Sequence, residues 1–266
     1  MKVRALALNT FSSLVRNKII ILFCAGCVCV LLFMLSTLLV IRNLRTTQNI
    51  EQMQAAVLPM IASMMGFVSG FGSLLAAWSA ADAVSSEMRS GTILAVMARP
   101  VRRWEFLLGK YLGVQLMMLV FVLLMTGLDY LLAWIGGAKI QSSPVALMVY
   151  PMVLYAVYSA IGMLFVTVMH PVFSFCIVLV MAIFAQLVAP TANTTFLPHW
   201  LKTGLFYVLP STGLLSVSRF LTVTRSTLRL ATWGEHATAL VYGLDYALVC
   251  FVLAAWIFHS RSLSWE

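Results

Sequence analysis

Apolar residues fall in six long runs, at about 19–41, 55–81, 111–135, 145–169, 172–189 and 238–258, and polar residues gather between them. Crossing the hydrocarbon of a bilayer takes about 20 apolar residues in a helix. Backbone groups in lipid must bond within their own segment, so the runs predict helices. The residue-by-residue alternation of an outer-membrane barrel is missing from the sequence. The predicted fold class is an all-α integral membrane protein, one domain with six transmembrane helices. Residues 2–18 precede the first run, with Leu8, Phe11 and Val15 at helical spacing and Asn9, Ser13 and Arg16 on another side. This pattern predicts a helix lying in the membrane interface.

Two connections stand out. Residues 190–237 are the longest gap, and the apolar stretch 204–221 within it is broken by Pro210 and Gly213. The segment at about 200–230 is therefore expected to be re-entrant or interfacial, on the outer side. The other connection, 82–110, is strongly charged. The chain has 17 basic and 8 acidic residues, and Asp82, Glu87, Arg89, Arg99, Arg102, Arg103, Glu105 and Lys110 all lie here. Such a segment is expected in water. Ser85 or Ser86 is placed to cap a short helix with Glu87 in its first turn. Gly91-Thr92 interrupts that helix, Ile93, Leu94, Val96 and Met97 give it an apolar side, and Arg99-Pro100 ends it.

Composition strengthens the membrane assignment. The chain is 62% apolar and 9% charged, against about 25% charged residues in soluble domains. The net charge of +9 sits at the ends of apolar runs rather than on one soluble face. That excludes a nucleic-acid partner and points to membrane lipids and orientation signals. Lys2, Arg4, Arg16, Lys18 and the basic residues of 82–110 together place the N-terminus, that connector and the C-terminus in the cytoplasm. His170-Pro171 then becomes a second, tight inner turn. Cys24, Cys27 and Cys29 lie inside an apolar run without His or carboxylate neighbours, so they are read as packing residues and no metal site is expected.

Glycine spacing hints at close helix contacts, Gly66 with Gly70 and Gly109 with Gly113. Asp129 and Asp245 are acids inside predicted spans, each in the tetrapeptide Gly-Leu-Asp-Tyr. A charged Asp near mid-membrane costs about 2.5–3.5 kcal/mol on insertion scales. Such residues face protein or water, and both acids are candidates for lining a translocation pathway or gate at matching depth. The alternative is that they only hold helices together.

The order D-A-V-S-S-E-M-R-S-G-T-I-L-A-V-M-A-R-P-V-R-R-W-E-F-L-L-G-K resembles the first cytoplasmic loop of ABC-2-type permeases, the membrane subunits of a class of ABC exporters. Glu87, Gly91, Thr92, Leu94, Pro100, Arg103, Gly109 and Lys110 fit the family pattern. The resemblance implies a permease without catalytic residues, paired with a second, usually identical copy and with two ABC ATPase subunits. It implies that the 82–110 loop, with Ser86, Glu87, Arg89, Arg99 and Arg102 beside the residues just named, docks on the ATPase as a coupling helix. No phosphate-binding G-x-x-x-x-G-K-[ST] motif occurs in the sequence. ATP and Mg are then bound by the partner ATPase, and the chain needs no cofactor of its own. The implied setting is the inner membrane of a prokaryote. The family's cargoes include polysaccharides and ions, but the apolar spans and the lack of a large soluble segment point to hydrophobic or amphipathic cargo.

Other classes fit less well. An intramembrane aspartyl protease uses Tyr-Asp and Gly-x-Gly-Asp, whereas both acids here stand in Gly-Leu-Asp-Tyr. A secondary transporter often has paired halves, which the sequence lacks. A membrane anchor for a cytosolic protein would share the connector but would not need the intramembrane acids.

Overall fold

The computed structural model describes residues 2–43, 50–89, 102–136, 139–140, 144–188, 209–210, 215, 221–224, 227–230 and 233–260. Helices form the framework: α1 (Lys2–Val15), α2 (Lys18–Asn43), α3 (Ile50–Arg89), α4 (Arg103–Gly136), α5 (Pro144–Val166), α6 (Pro171–Val188) and α7 (Trp233–Ser260). The exception to the all-α expectation is a small sheet. Strand β1 (Lys139–Ile140) pairs in parallel with β3 (Thr227–Leu230), which pairs antiparallel with β2 (Leu221–Thr224). The pairing satisfies backbone groups of two separate connections, which no apolar pattern signals. Most of 200–220, and with it most of the expected re-entrant segment, lies outside the described residues.

Among the described residues, five helices are long and apolar enough to cross a membrane: α2, α3, α4, α5 and α7. Helix α6 has 18 residues, about 27 Å at 1.5 Å per residue, and its described apolar part, Pro171–Ala185, is shorter still. It falls just under the ~30 Å of a typical hydrocarbon core. In contrast, α3 runs for 40 residues, about 60 Å, and therefore projects well beyond the bilayer.

Helices α3 and α5 form the centre of the bundle and are the most buried spans, while α2 and α7 are peripheral. The central contact is made of small residues. A Cβ on Gly162 of α5 would sit 2.7 Å from the carbonyl oxygen of Ala77, and one on Gly72 of α3 would overlap the ring of Tyr155. Such contacts let backbones approach where lipid supplies no hydrophobic drive between helices. Intramembrane hydrogen bonds add to them. Tyr155 donates to the Val68 carbonyl (3.3 Å), Tyr111 to the Ala156 carbonyl (3.0 Å), Gln115 to Ser159 Oγ (2.7 Å), and Ser174 to the Gly162 carbonyl (2.9 Å).

The two glycine pairs have different roles. A Cβ on Gly109 would come 2.7 Å from Leu6 Cβ, and one on Gly113 would come 2.6 Å from Thr10 Cβ. Helix α1 thus docks across the start of α4 in that groove. Gly66 and Gly70 face open space instead, and Gly72 makes the close contact on α3. Of the expected apolar side of α1, Phe11 is half-buried against the core, and Asn9, Ser13 and Arg16 are exposed. Leu8 and Val15 are exposed, whereas Thr10 and Leu14 are buried on the side that meets the bundle.

Candidate functional site

The charged groups of α1–α2, α3, α4 and α7 converge at one end of the bundle. Asn17 caps α2, accepting from the Ile19 amide (3.0 Å), and donates to Asp82 on α3 (2.6 Å). Glu105 reaches back to the Arg102 amide (3.0 Å), the returning half of a capping box that starts α4. Arg103 donates to the carbonyls of Phe258 (3.3 Å) and His259 (3.1 Å), closing the C-terminus of α7 against α4. Lys110 of α4 forms an ion pair with Glu87 of α3, and its ammonium lies 5.7 Å from the Phe106 ring centroid. Lys110 is only 3% exposed.

The water-exposed connector expected at 82–110 is shorter than the charge pattern suggests. Helix α3 continues through Arg89, and α4 begins at Arg103. Ser85 and Ser86 lie inside α3 rather than capping a new helix, and the Ser85 hydroxyl bonds back to the Asp82 carbonyl (3.4 Å). Ala83, Val84 and Ser85 are buried, as is Lys110. Pairing makes this burial tolerable, because Glu87 and Lys110 neutralise each other across the helix contact. Gly91, Thr92, Leu94, Arg99 and Pro100 lie outside the described residues, as does the side chain of Arg89.

The His170-Pro171 turn lies at this same end. Helix α5 runs parallel to α3, with Gly162 beside Ala77, so its C-terminus points the same way. His170 is exposed, and its Nδ1 accepts from the Val172 amide (3.4 Å). Pro171 occupies the first position of α6, where its missing N–H costs nothing. The Trp78 and Phe175 rings meet edge to face (5.4 Å) and fix α6 against α3.

The two intramembrane acids are placed differently. Asp129 is 6% exposed and lines a cavity of about 20 Å³ between α3, α4 and α5, with Ser69, Thr126 and Tyr155 among its walls. Asp129 Oδ1 and Ser69 Oγ are buried and have no hydrogen-bond partner among the described residues. Asp245 is exposed on the outer surface of α7, beside the exposed Val241, Leu244 and Leu248. Gly243 packs against Val153, two residues from the cavity-lining Pro151 and Tyr155. The acids therefore share a level of the bundle but not a cavity.

Three partnerships had no signal in sequence spacing: Asn17 with Asp82, Glu87 with Lys110, and Ser69 with the Asp129 cavity. Only the occurrence of charges at the ends of neighbouring runs hinted at the second.

The full-length pattern agrees with a known family. The profile described as ABC-2 family transporter protein matches residues 4–263. The chain belongs to the ABC-2 transporter family. No curated protein matches it significantly. The chain is thus a multi-pass membrane component of a transport system, of the permease type that associates with ABC ATPases.

Proposed function

We propose that this ABC-2 permease is the membrane subunit of an ATP-driven exporter that receives ATPase motion through the 82–110 connection. The observation that carries the reading is the bonded end of the bundle. Four elements are tied there by Asn17–Asp82, Glu87–Lys110 and Arg103 with the end of α7, and the segment 90–101 joins two of them. A partner pressing on that segment moves α3 and α4 together, because a bonded junction transmits displacement rather than absorbing it. Glu87 itself is committed to Lys110, so contact with the ATPase falls to the residues beyond it: Arg89, Gly91, Thr92, Leu94, Arg99, Pro100 and Arg102, with His170-Pro171 as a second contact.

In this reading the bonded end is cytoplasmic and the membrane is the inner membrane of a prokaryote. With α1 and the end of α7 at one end of the bundle, the chain crosses an even number of times, and α6 supplies the sixth crossing. Two copies form the pathway with two ATPase subunits, which bind ATP and Mg. Asp129 belongs to the pathway wall within each copy, and Asp245 faces outward from it. Cargo is hydrophobic or amphipathic, in keeping with the apolar walls.

The test is co-purification with an ABC ATPase in lipid nanodiscs and measurement of ATP hydrolysis. Substitution of Thr92 and Leu94 together by Asp should uncouple hydrolysis from the permease while leaving the permease folded. An ATPase that never binds, or whose activity ignores the substitutions, would sink the proposal.

A further inference from the structure

We propose that the Asp129 cavity is a binding site for a primary alkylammonium group. The argument starts from the orphaned oxygens. Asp129 Oδ1 and Ser69 Oγ are both buried without a partner among the described residues, at 6% and 4% exposure, and both residues line the same cavity. Unpartnered polar atoms in a low-dielectric interior are costly unless a ligand or water completes them. The cavity, at about 20 Å³, holds one particle the size of water.

An ammonium head of that size suits the site better than the alternatives. It carries three N–H donors, and the orphaned oxygens of Asp129 and Ser69, on two helices, can accept from it, with Thr126 on the same wall. Its single positive charge cancels the carboxylate and leaves no net charge in the bundle. A divalent ion would leave a surplus positive charge and requires six or more oxygens, whereas Met65, Val68, Val122, Met125 and Leu147 make up much of this wall. The same apolar side chains suit the first carbons of an alkyl stem, the rest of which leaves through the open side of the cavity.

The site belongs to the single chain and exists whether or not an ATPase couples to it, so its test is separate from that of the exporter reading. The full-length chain in phosphatidylcholine nanodiscs is titrated with n-hexylamine near neutral pH, and unfolding is followed by tryptophan fluorescence. Hexylamine should raise the unfolding temperature and saturate. Hexanol, hexyltrimethylammonium and sodium chloride at matched concentrations should not. Asp129→Asn should weaken the apparent affinity about tenfold or more, and Ser69→Ala about threefold, since hydrogen bonds to charged groups are the stronger ones. A shift reproduced by hexanol or by sodium, or retained in full by Asp129→Asn, overturns the proposal. Should Asp129→Asn fail to assemble, Ser69→Ala and Thr126→Val decide the matter, and unchanged affinity in both overturns it.

Discussion

At the bonded end of the bundle, Asp82, Glu87, Arg103 and Lys110 each have a partner in the protein. In the other half of the same helices, Asp129 and Ser69 present buried oxygens that have none among the described residues. Helices α3 and α4 carry both arrangements. Their bonded ends are tied to each other, to the α1–α2 junction and to the end of α7. Their other halves enclose a small cavity. The difference separates a region whose charged groups are paired from one that presents orphaned oxygens.

The largest test of that contrast is to unpair each region. Glu87→Ala should cost about 3–5 kcal/mol, because it leaves the buried Lys110 ammonium uncompensated. Equilibrium unfolding in nanodiscs measures this, and the double substitution Glu87→Ala with Lys110→Met should recover most of the loss. Asp129→Asn removes a charge that already lacks a partner and should cost less than about 1 kcal/mol in the absence of amine. Equal losses at the two sites would erase the distinction between them.

A smaller test concerns the scaffold around the bonded end. Gly113→Leu forces a side chain into the groove held by Thr10 and Ala7, and should cost about 1–3 kcal/mol. Helix α1 would then separate from α4, which faster labelling of a cysteine introduced at Leu6 would report. Gly66→Leu, at a glycine of the same spacing that faces open space, should leave stability within about 0.5 kcal/mol. Next comes Tyr155→Phe, which removes the bond to Val68 at the bundle centre and should cost about 1 kcal/mol. The smallest expected effect is that of Arg103→Gln, about 0.3–1 kcal/mol through weakened capping of α7, read as faster hydrogen exchange confined to the last turn of that helix. Global destabilisation by Arg103→Gln larger than that by Glu87→Ala would mean that the α7 closure, rather than the ion pair, holds the bonded end together.

Much of the fold was legible before any tertiary contact was known. Six apolar runs correspond to helices α2 to α7, and the helical preamble corresponds to α1, because hydrocarbon leaves the backbone few alternatives. The extent of the connector was not legible. Charges at 82–89 and 103–110 read as water-exposed, but two of them, 23 residues apart, neutralise each other inside the bundle. The glycine pairs show the same limit. Gly66-Gly70 and Gly109-Gly113 have identical spacing, yet only the second meets a neighbouring helix. The two Gly-Leu-Asp-Tyr segments repeat the lesson, with one acid buried in a cavity and the other on an exposed helix face.

Composition and run length alone established that this chain lives in lipid as a set of helices, since 9% charged residues cannot coat a globule in water. Which face of each helix meets protein, and therefore which acid lies inside, was decided only by packing. The reason is the solvent: lipid tails are about as apolar as the side chains of a helix interface, so a lipid-facing residue and a core residue look alike in sequence. Only small side chains, hydrogen bonds and paired charges distinguish the two, and their partners lie far apart along the chain.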